Sequence, residues 1–225
     1  MDERIRVFLA GLDGAERDES GRSEARVFRA EDAFLKVGPA GTLARAAVMQ
    51  AYFEKKGFAS PLIAYDTDGE KDYLLVRAMA GRQSLALLNR PEWLAERLGE
   101  GIRRLHEVCA EDCPCRDVNA QALSLYARRC GKPFEDAGAL GEDALVHGDC
   151  CLPNIFLGQR GLSGFIDLGE SGLGDRHFDL YWVCWSMEYN LKTDRYNGRL
   201  LDAYGRDGID GERLELCARL SRCAD

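Results

Sequence analysis

Apolar residues along this chain change their period near residue 80. Before it they fall in short runs bounded by glycine and polar residues, and after it they recur every three or four positions. Arg26-Val27-Phe28-Arg29 and Ala33-Phe34-Leu35-Lys36-Val37 flank the acidic turn Glu31-Asp32 and predict a hairpin. Gly38-Pro39-Ala40-Gly41 breaks the chain. Residues 42–56 then carry Leu43, Ala46, Ala47, Met49, Gln50 and Phe53 near helical spacing, with Gly57 as the stop. Residues 61–65 and 73–77 predict two strands around Asp66-Thr67-Asp68-Gly69-Glu70. That turn has the outline of a calcium loop, but its glycine comes too early and the closing glutamate is missing, so it reads as a hairpin tip. The first third thus predicts strands with one helix.

Beyond Ala80-Gly81 the pattern turns helical. Residues 91–109 carry Leu94, Leu98, Ile102, Leu105 and Cys109 as one apolar stripe, and 120–130 is a shorter helix. Leu145-Val146-His147-Gly148-Asp149 reads as a short buried strand running into a loop. A second hairpin joins 155–157 to 162–166 through the turn 158–161, and helices cover 178–190, 195–204 and 211–221. The expectation is an α+β chain, with a small strand-rich lobe at 1–80, a larger helical lobe at 81–225 and a hinge at 78–81. The longest apolar runs fall short of a membrane span, and Met1-Asp2-Glu3-Arg4 lacks the basic start and apolar core of a signal peptide. The cytoplasm is the expected compartment.

Composition adds two constraints. Net charge is -8, and it is not spread evenly: residues 1–133 hold 21 basic and 21 acidic side chains, residues 134–225 hold 9 and 17. That distribution argues against a nucleic-acid partner. It suits either a solvated acidic face or the approach of a cationic ligand. The nine cysteines are odd in number and lack metal-site spacing: Cys113-Pro114-Cys115 and adjacent Cys150-Cys151 have no second pair. They read as reduced packing residues.

The chemistry concentrates in His147-Gly148-Asp149-Cys150-Cys151-Leu152-Pro153-Asn154, which fits H-x-D-x-x-x-x-N, the catalytic-loop spacing of kinases. Asp167, in Ile166-Asp167-Leu168-Gly169, follows Asn154 by thirteen residues, the place of a kinase's D-F-G. Phosphoryl transfer needs a carboxylate against the substrate hydroxyl, and an amide oxygen and a second carboxylate to hold magnesium on the phosphates. Singly, each residue reads more readily as a turn or cap; the ordered set of three around a hairpin points to catalysis. His147 reads as a structural hydrogen-bonding residue and His106 as packing, and His177 has no partner visible in the sequence. No Walker motif is present. Gly21-Arg22-Ser23-Glu24-Ala25-Arg26-Val27 can cover phosphates or be an ordinary turn, and Lys36 can reach phosphates or lie on a solvent face.

H-G-D-x-x-x-x-N followed by Gly164-Phe165-Ile166-Asp167-Leu168-Gly169 resembles the aminoglycoside phosphotransferases, with closest likeness to the 3'-phosphotransferase branch. The resemblance extends through Gly174-Asp175-Arg176-His177-Phe178-Asp179 and upstream through G-x-S-x-A-x-V and Phe34-Leu35-Lys36. It implies a bilobal protein-kinase-like fold, magnesium, and ATP or GTP as co-substrate. It further implies Asp149 as base, Asn154 and Asp167 as magnesium ligands, Lys36 and Ser23 at the phosphates, the hinge backbone near Ala78 at the purine, and Asp179 bracing the catalytic loop. The expected acceptor is a cationic aminoglycoside, with Glu142, Asp143 and Glu170 among the carboxylates offered to it. Three departures stand out. Ala44-Arg45-Ala46-Ala47-Val48 lacks the helix glutamate that pairs with the strand lysine in relatives. The region between His106 and the catalytic loop is short. Glu170 stands where many relatives carry arginine, and the usual acidic-aromatic tail is missing. A kinase of another small alcohol and a catalytically silent nucleotide binder are the alternatives.

Overall fold

Side-chain alternation along one strand organises the first part of the chain. In β3 (Ala33–Pro39), residues Ala33, Leu35 and Val37 face one way and Phe34 and Lys36 the other. The computed structural model describes residues 1–12, 17–18, 25–30 and 32–222. Within them the chain divides into two units, residues 1–79 with 166–169, and residues 80–165 with 170–225.

The first unit holds α1 (Glu3–Ala10), β1 (Arg17–Asp18), β2 (Arg26–Ala30), β3, α2 (Ala44–Lys55), β4 (Leu62–Thr67) and β5 (Lys71–Arg77). Its strands form one antiparallel sheet in the order β1-β2-β3-β5-β4, with Lys36 opposite Val27 on one side and Leu74 on the other. Ala33, Leu35, Ala64, Tyr73 and Leu75 bury one face of the sheet against Ile5, Phe8 and Leu9 of α1. Leu43, Ala46, Ala47 and Leu74 pack together from α2 and the opposite face. The sequence pattern predicts one helix here, and the structure has two. Eight residues are too few for a helix to persist alone in water, so α1 rests on the burial of Ile5. Its one sequence signal is Asp2, which caps the helix by accepting from the Arg4 amide at 2.8 Å. At the β4–β5 tip, Asp68 Oδ1 accepts from the Glu70 and Lys71 amides at 2.9 and 2.8 Å, so that carboxylate closes a hairpin turn.

The second unit holds β6 (Arg82–Gln83), α3 (Pro91–His106), α4 (Val118–Cys130), β7 (Ala144–Val146), β8 (Ile155–Gly158), β9 (Gly161–Phe165), β10 (Gly172–Gly174), α5 (His177–Leu191), α6 (Asn197–Tyr204) and α7 (Gly211–Arg222). Leu94, Leu98, Ile102 and Leu105 of α3 are fully buried, as their spacing requires, but the helix ends before Cys109, which is exposed. A second cluster joins Val118, Phe134, Ala144, Val146, Phe178, Leu216 and Leu220. β6, β8 and β9 form one antiparallel sheet, and β7 pairs antiparallel with β10. The β7–β10 pairing escapes a sequence reading because Gly172-Leu173-Gly174 has no strand signature. No helix among the described residues is long and apolar enough to cross a membrane.

α3 and α6 meet backbone to backbone at Gly99. A Cβ there would fall on the Leu200 carbonyl oxygen and lie 2.8 Å from the Tyr204 nitrogen. Gly99→Ala gains about 1 kcal/mol of helix propensity. Forcing two backbones apart costs roughly 1–3 kcal/mol and strains both helices, so the clash outweighs the gain. The variant should lose up to about 2 kcal/mol, seen as a lower urea midpoint at unchanged slope; a midpoint above wild type would contradict the close crossing.

Candidate active site

In the second unit β7 delivers the chain into the loop 147–154. Gly148 has φ of +86°, and a Cβ there would strike the Glu170 carbonyl, so the position admits only glycine without strain. Asp179, fully buried in the first turn of α5, clamps this loop. Its Oδ2 accepts from the His147 amide at 2.8 Å and its Oδ1 from the Gly148 amide at 2.9 Å. His106 Nε2 lies 3.1 Å from the same Oδ2. Two helical turns further along α5, Ser186 Oγ accepts from the Leu152 amide at 3.0 Å, so one helix holds both ends of the loop. Gln83 Nε2 donates to the Pro153 carbonyl at 2.6 Å, and Ser84 Oγ to the Ile155 carbonyl at 2.9 Å.

Inside the loop the side chains of Asp149 and Asn154 meet. Asn154 Nδ2 donates to the Asp149 carbonyl at 3.0 Å and to its carboxylate Oδ2 at 2.9 Å. Both partners are acceptors, so the amide nitrogen must face Asp149 and Asn154 Oδ1 is turned from it. The Asp149 amide donates to His147 Nδ1 at 3.2 Å. His147 is buried, with its ring 5.3 Å from that of Phe165.

In the first unit Lys36 Nζ and Asp167 Oδ1 are paired at 2.8 Å, the lysine mostly covered and the carboxylate half exposed. Asp167 has φ of +60°, a left-handed conformation that aspartate accepts better than most residues. The absence of an acid at 44–48 therefore does not leave the lysine alone. Glu54, the one acid of α2, instead accepts from the Leu62 amide at 2.8 Å. The Ala78 amide donates to the Asp32 carbonyl at 2.6 Å. Ser23 lies outside the described residues.

The remaining acids, Glu142, Asp143 and Glu170, are all exposed. Asp143 takes Arg176 Nε on one oxygen at 3.2 Å and Arg213 Nη2 on the other at 3.0 Å. Burial alone would raise the Asp143 pKa, but the two guanidiniums outweigh it and hold the group below the usual carboxylate range. His177 has partners that the sequence did not disclose. Its Nδ1 donates to the buried Asp175 carboxylate at 2.6 Å, and its Nε2 accepts from the Asp210 amide at 2.9 Å. Arg213 Nε also reaches Asp175, at 2.9 Å. Ser186, Gln83 and Ser84 carry no motif that marks them as supports of this region, and their partners lie from 34 to 71 positions away.

Burial pushes the Asp175 pKa up, but hydrogen bonds from His177 and Arg213 overcome it and set it at about 2, below the usual carboxylate range. A depressed folded-state pKa adds stability that is fully present above the unfolded value and lost as pH falls through the folded one. Between about pH 4 and pH 2 this group should therefore surrender roughly 2 kcal/mol. Asp175→Asn should be less stable at neutral pH and show a flatter loss on acidification, read from urea midpoints across that range. A parallel acid profile would contradict the assignment.

The model of the phosphotransferase enzyme family matches residues 14–217. A probable aminoglycoside 3'-phosphotransferase of Lactococcus lactis subsp. lactis (strain IL1403) is 38% identical, the match covering 88% of this chain and 86% of that protein. A streptomycin 3''-kinase of Streptomyces griseus is 34% identical, covering 89% of each. Among solved structures, the crystal structure of an aminoglycoside-3'-phosphotransferase of type VIII superposes with a TM-score of 0.77 at 22% identity, over 99% of this chain and 98% of that one. That likeness shows the fold, an α+β arrangement of the protein-kinase-like kind.

Proposed function

The chain belongs to the aminoglycoside phosphotransferase family, enzymes that pass phosphate to an alcohol, and we propose that it moves the γ-phosphate of ATP or GTP onto a hydroxyl of an aminoglycoside. The observation that carries the reading is the clamped loop. Asp149 and Asn154, five residues apart, are joined by two hydrogen bonds on a segment whose amides at 147 and 148 end on one buried carboxylate. Rigid placement is what phosphoryl transfer asks of a protein, since its loose transition state leaves little covalent work to do. In this reading Asp149 is the base that takes the acceptor's hydroxyl proton. Asp179 and His147 hold the loop and touch no substrate.

Magnesium fits the residues present. Asn154 turns its amide oxygen from Asp149, and Asp167 offers an exposed carboxylate, both hard oxygen donors. Bound by them, the ion would neutralise charge on the phosphates. In this reading Lys36 exchanges Asp167 for a phosphate, with Ser23 a further phosphate contact. The Ala78 amide is already engaged, so a purine would meet the carbonyl of that residue. On the acceptor side Glu142 and Glu170 are the acids offered to a cationic ligand, since Asp143 is held by two arginines. The related proteins are named for different hydroxyls, 3' and 3'', so the position modified is a matter for assay. The cytoplasm, where nucleoside triphosphates are abundant, is the proposed compartment.

The experiment is phosphate transfer from ATP and GTP, with magnesium, to kanamycin, neomycin and streptomycin, in wild type and Asp149→Ala. Turnover should fall at least about 10³-fold in the variant while nucleotide affinity changes little. A cationic acceptor should show a KM that rises with salt, because exposed charge pairs are screened. Transfer that survives Asp149→Ala would remove the base from its role. A salt-independent KM would point to a neutral alcohol in place of an aminoglycoside.

A further inference from the structure

Three side chains from separate parts of the second unit lead to Asp179 through the interior. Arg176, just before α5, places Nη1 3.4 Å from the Tyr204 hydroxyl at the end of α6. That hydroxyl lies 2.9 Å from His106 Nδ1 at the end of α3, and His106 Nε2 lies 3.1 Å from Asp179 Oδ2. Tyr204 is 1% exposed, His106 3% and Asp179 0%. We infer that this chain of hydrogen bonds holds His106 as the neutral Nε2–H tautomer, and that Tyr204 and His106 are positioning residues for the loop that carries Asp149.

Heavy-atom distances do not give the direction of these bonds, but the two ends do. A guanidinium has five N–H donors and no acceptor, so the Tyr204 oxygen must accept from Arg176. An ionised carboxylate only accepts, and Asp179 already takes the His147 and Gly148 amides. The proton between His106 and Asp179 therefore belongs to Nε2. With Arg176 donating to its oxygen, Tyr204 turns its own proton to Nδ1, and every group is satisfied with the ring neutral. The opposite tautomer would set a bare Nε2 lone pair against a carboxylate in the interior, where an unmet polar group is costly. An imidazolium would leave the Tyr204 proton without this acceptor.

The consequence reaches the loop. Asp179 aims one oxygen at each of two adjacent amides, and the Nε2–H bond is the side-chain donor that fixes the carboxylate in that attitude. The Tyr204 hydroxyl, in turn, is what distinguishes one imidazole nitrogen from the other. Its ring also meets the imidazole edge-on at 5.6 Å, a contact that phenylalanine keeps. Tyr204→Phe therefore removes the directing proton and leaves the packing in place. The network begins near the surface, where Arg176 is also bound to Asp143.

Ring-nitrogen NMR on the full chain with isotope-labelled histidine tests the tautomer directly. Nε2 protonated and Nδ1 bare is the expected His106 signature; Nδ1–H or imidazolium at neutral pH overturns the inference. In Tyr204→Phe the two tautomers should mix, and amide exchange at His147 and Gly148 should quicken about tenfold or more. Exchange at the wild-type rate would refute the positioning role. The kinetic arm rests on the phosphotransferase reading, in which Tyr204→Phe lowers kcat about tenfold with the nucleotide KM within about twofold. His106→Gln, whose amide can still donate to Asp179, should retain more turnover than His106→Leu, and equal losses would count against the relay. If the wild type transfers no phosphate to any acceptor, the functional reading fails, while the spectra and exchange rates still decide this one.

Discussion

A single buried carboxylate organises the loop that carries Asp149 and Asn154. Asp179 gives up water entirely, which would be costly for a charge unless its lone pairs were met, and three donors meet them: two loop amides and an imidazole. Hydrogen bonds to a charged group are each worth roughly 1.5–3 kcal/mol, so the carboxylate and the loop stabilise one another. Gly148 is required because the chain must turn through a left-handed conformation against the Glu170 carbonyl. Ser186 holds the loop again two turns along the same helix, so α5 acts as a rigid rail beneath it.

The charges elsewhere follow the same economy of partners. Asp175 and Asp143 are each met by more than one donor, through Arg213, His177 and Arg176, and this ties α7 to the segment before α5. In the first unit, Lys36 pairs with Asp167 in place of the helix glutamate that the family resemblance leads one to expect. The lysine is thus held by the carboxylate that is also a proposed metal ligand. A single ion pair serves to orient both groups, and a phosphate or a metal ion would compete with it.

The acidic excess of the last part of the chain takes on a different meaning once its members are located. Part of it is internal, as with Asp175 and Asp179, and Asp143 at the surface is bound by two arginines. Glu142 and Glu170 remain exposed. Counting charges along a sequence cannot make this division, because an acid on a turn and an acid under an arginine read alike.

Legibility followed the range of the interactions concerned. The stripe Leu94, Leu98, Ile102, Leu105 and the spacing of Asp149, Asn154 and Asp167 are local patterns, and they sufficed for the helices, the α+β class and the family. α1 was missed because eight residues hold a helix only by packing Ile5 against a sheet built later in the chain. β10 was missed because Gly-Leu-Gly becomes a strand only through β7. The partners of His177, the engagement of Asp143, and the path from Arg176 through Tyr204 and His106 to Asp179 join residues that local pattern does not connect. By itself, then, the sequence determined the family and most of the elements, since both are written in residues a few positions apart. The tertiary structure alone decided which polar groups are satisfied by one another and which are left to meet a ligand, because burial brings together donors and acceptors that the chain keeps as many as a hundred residues apart.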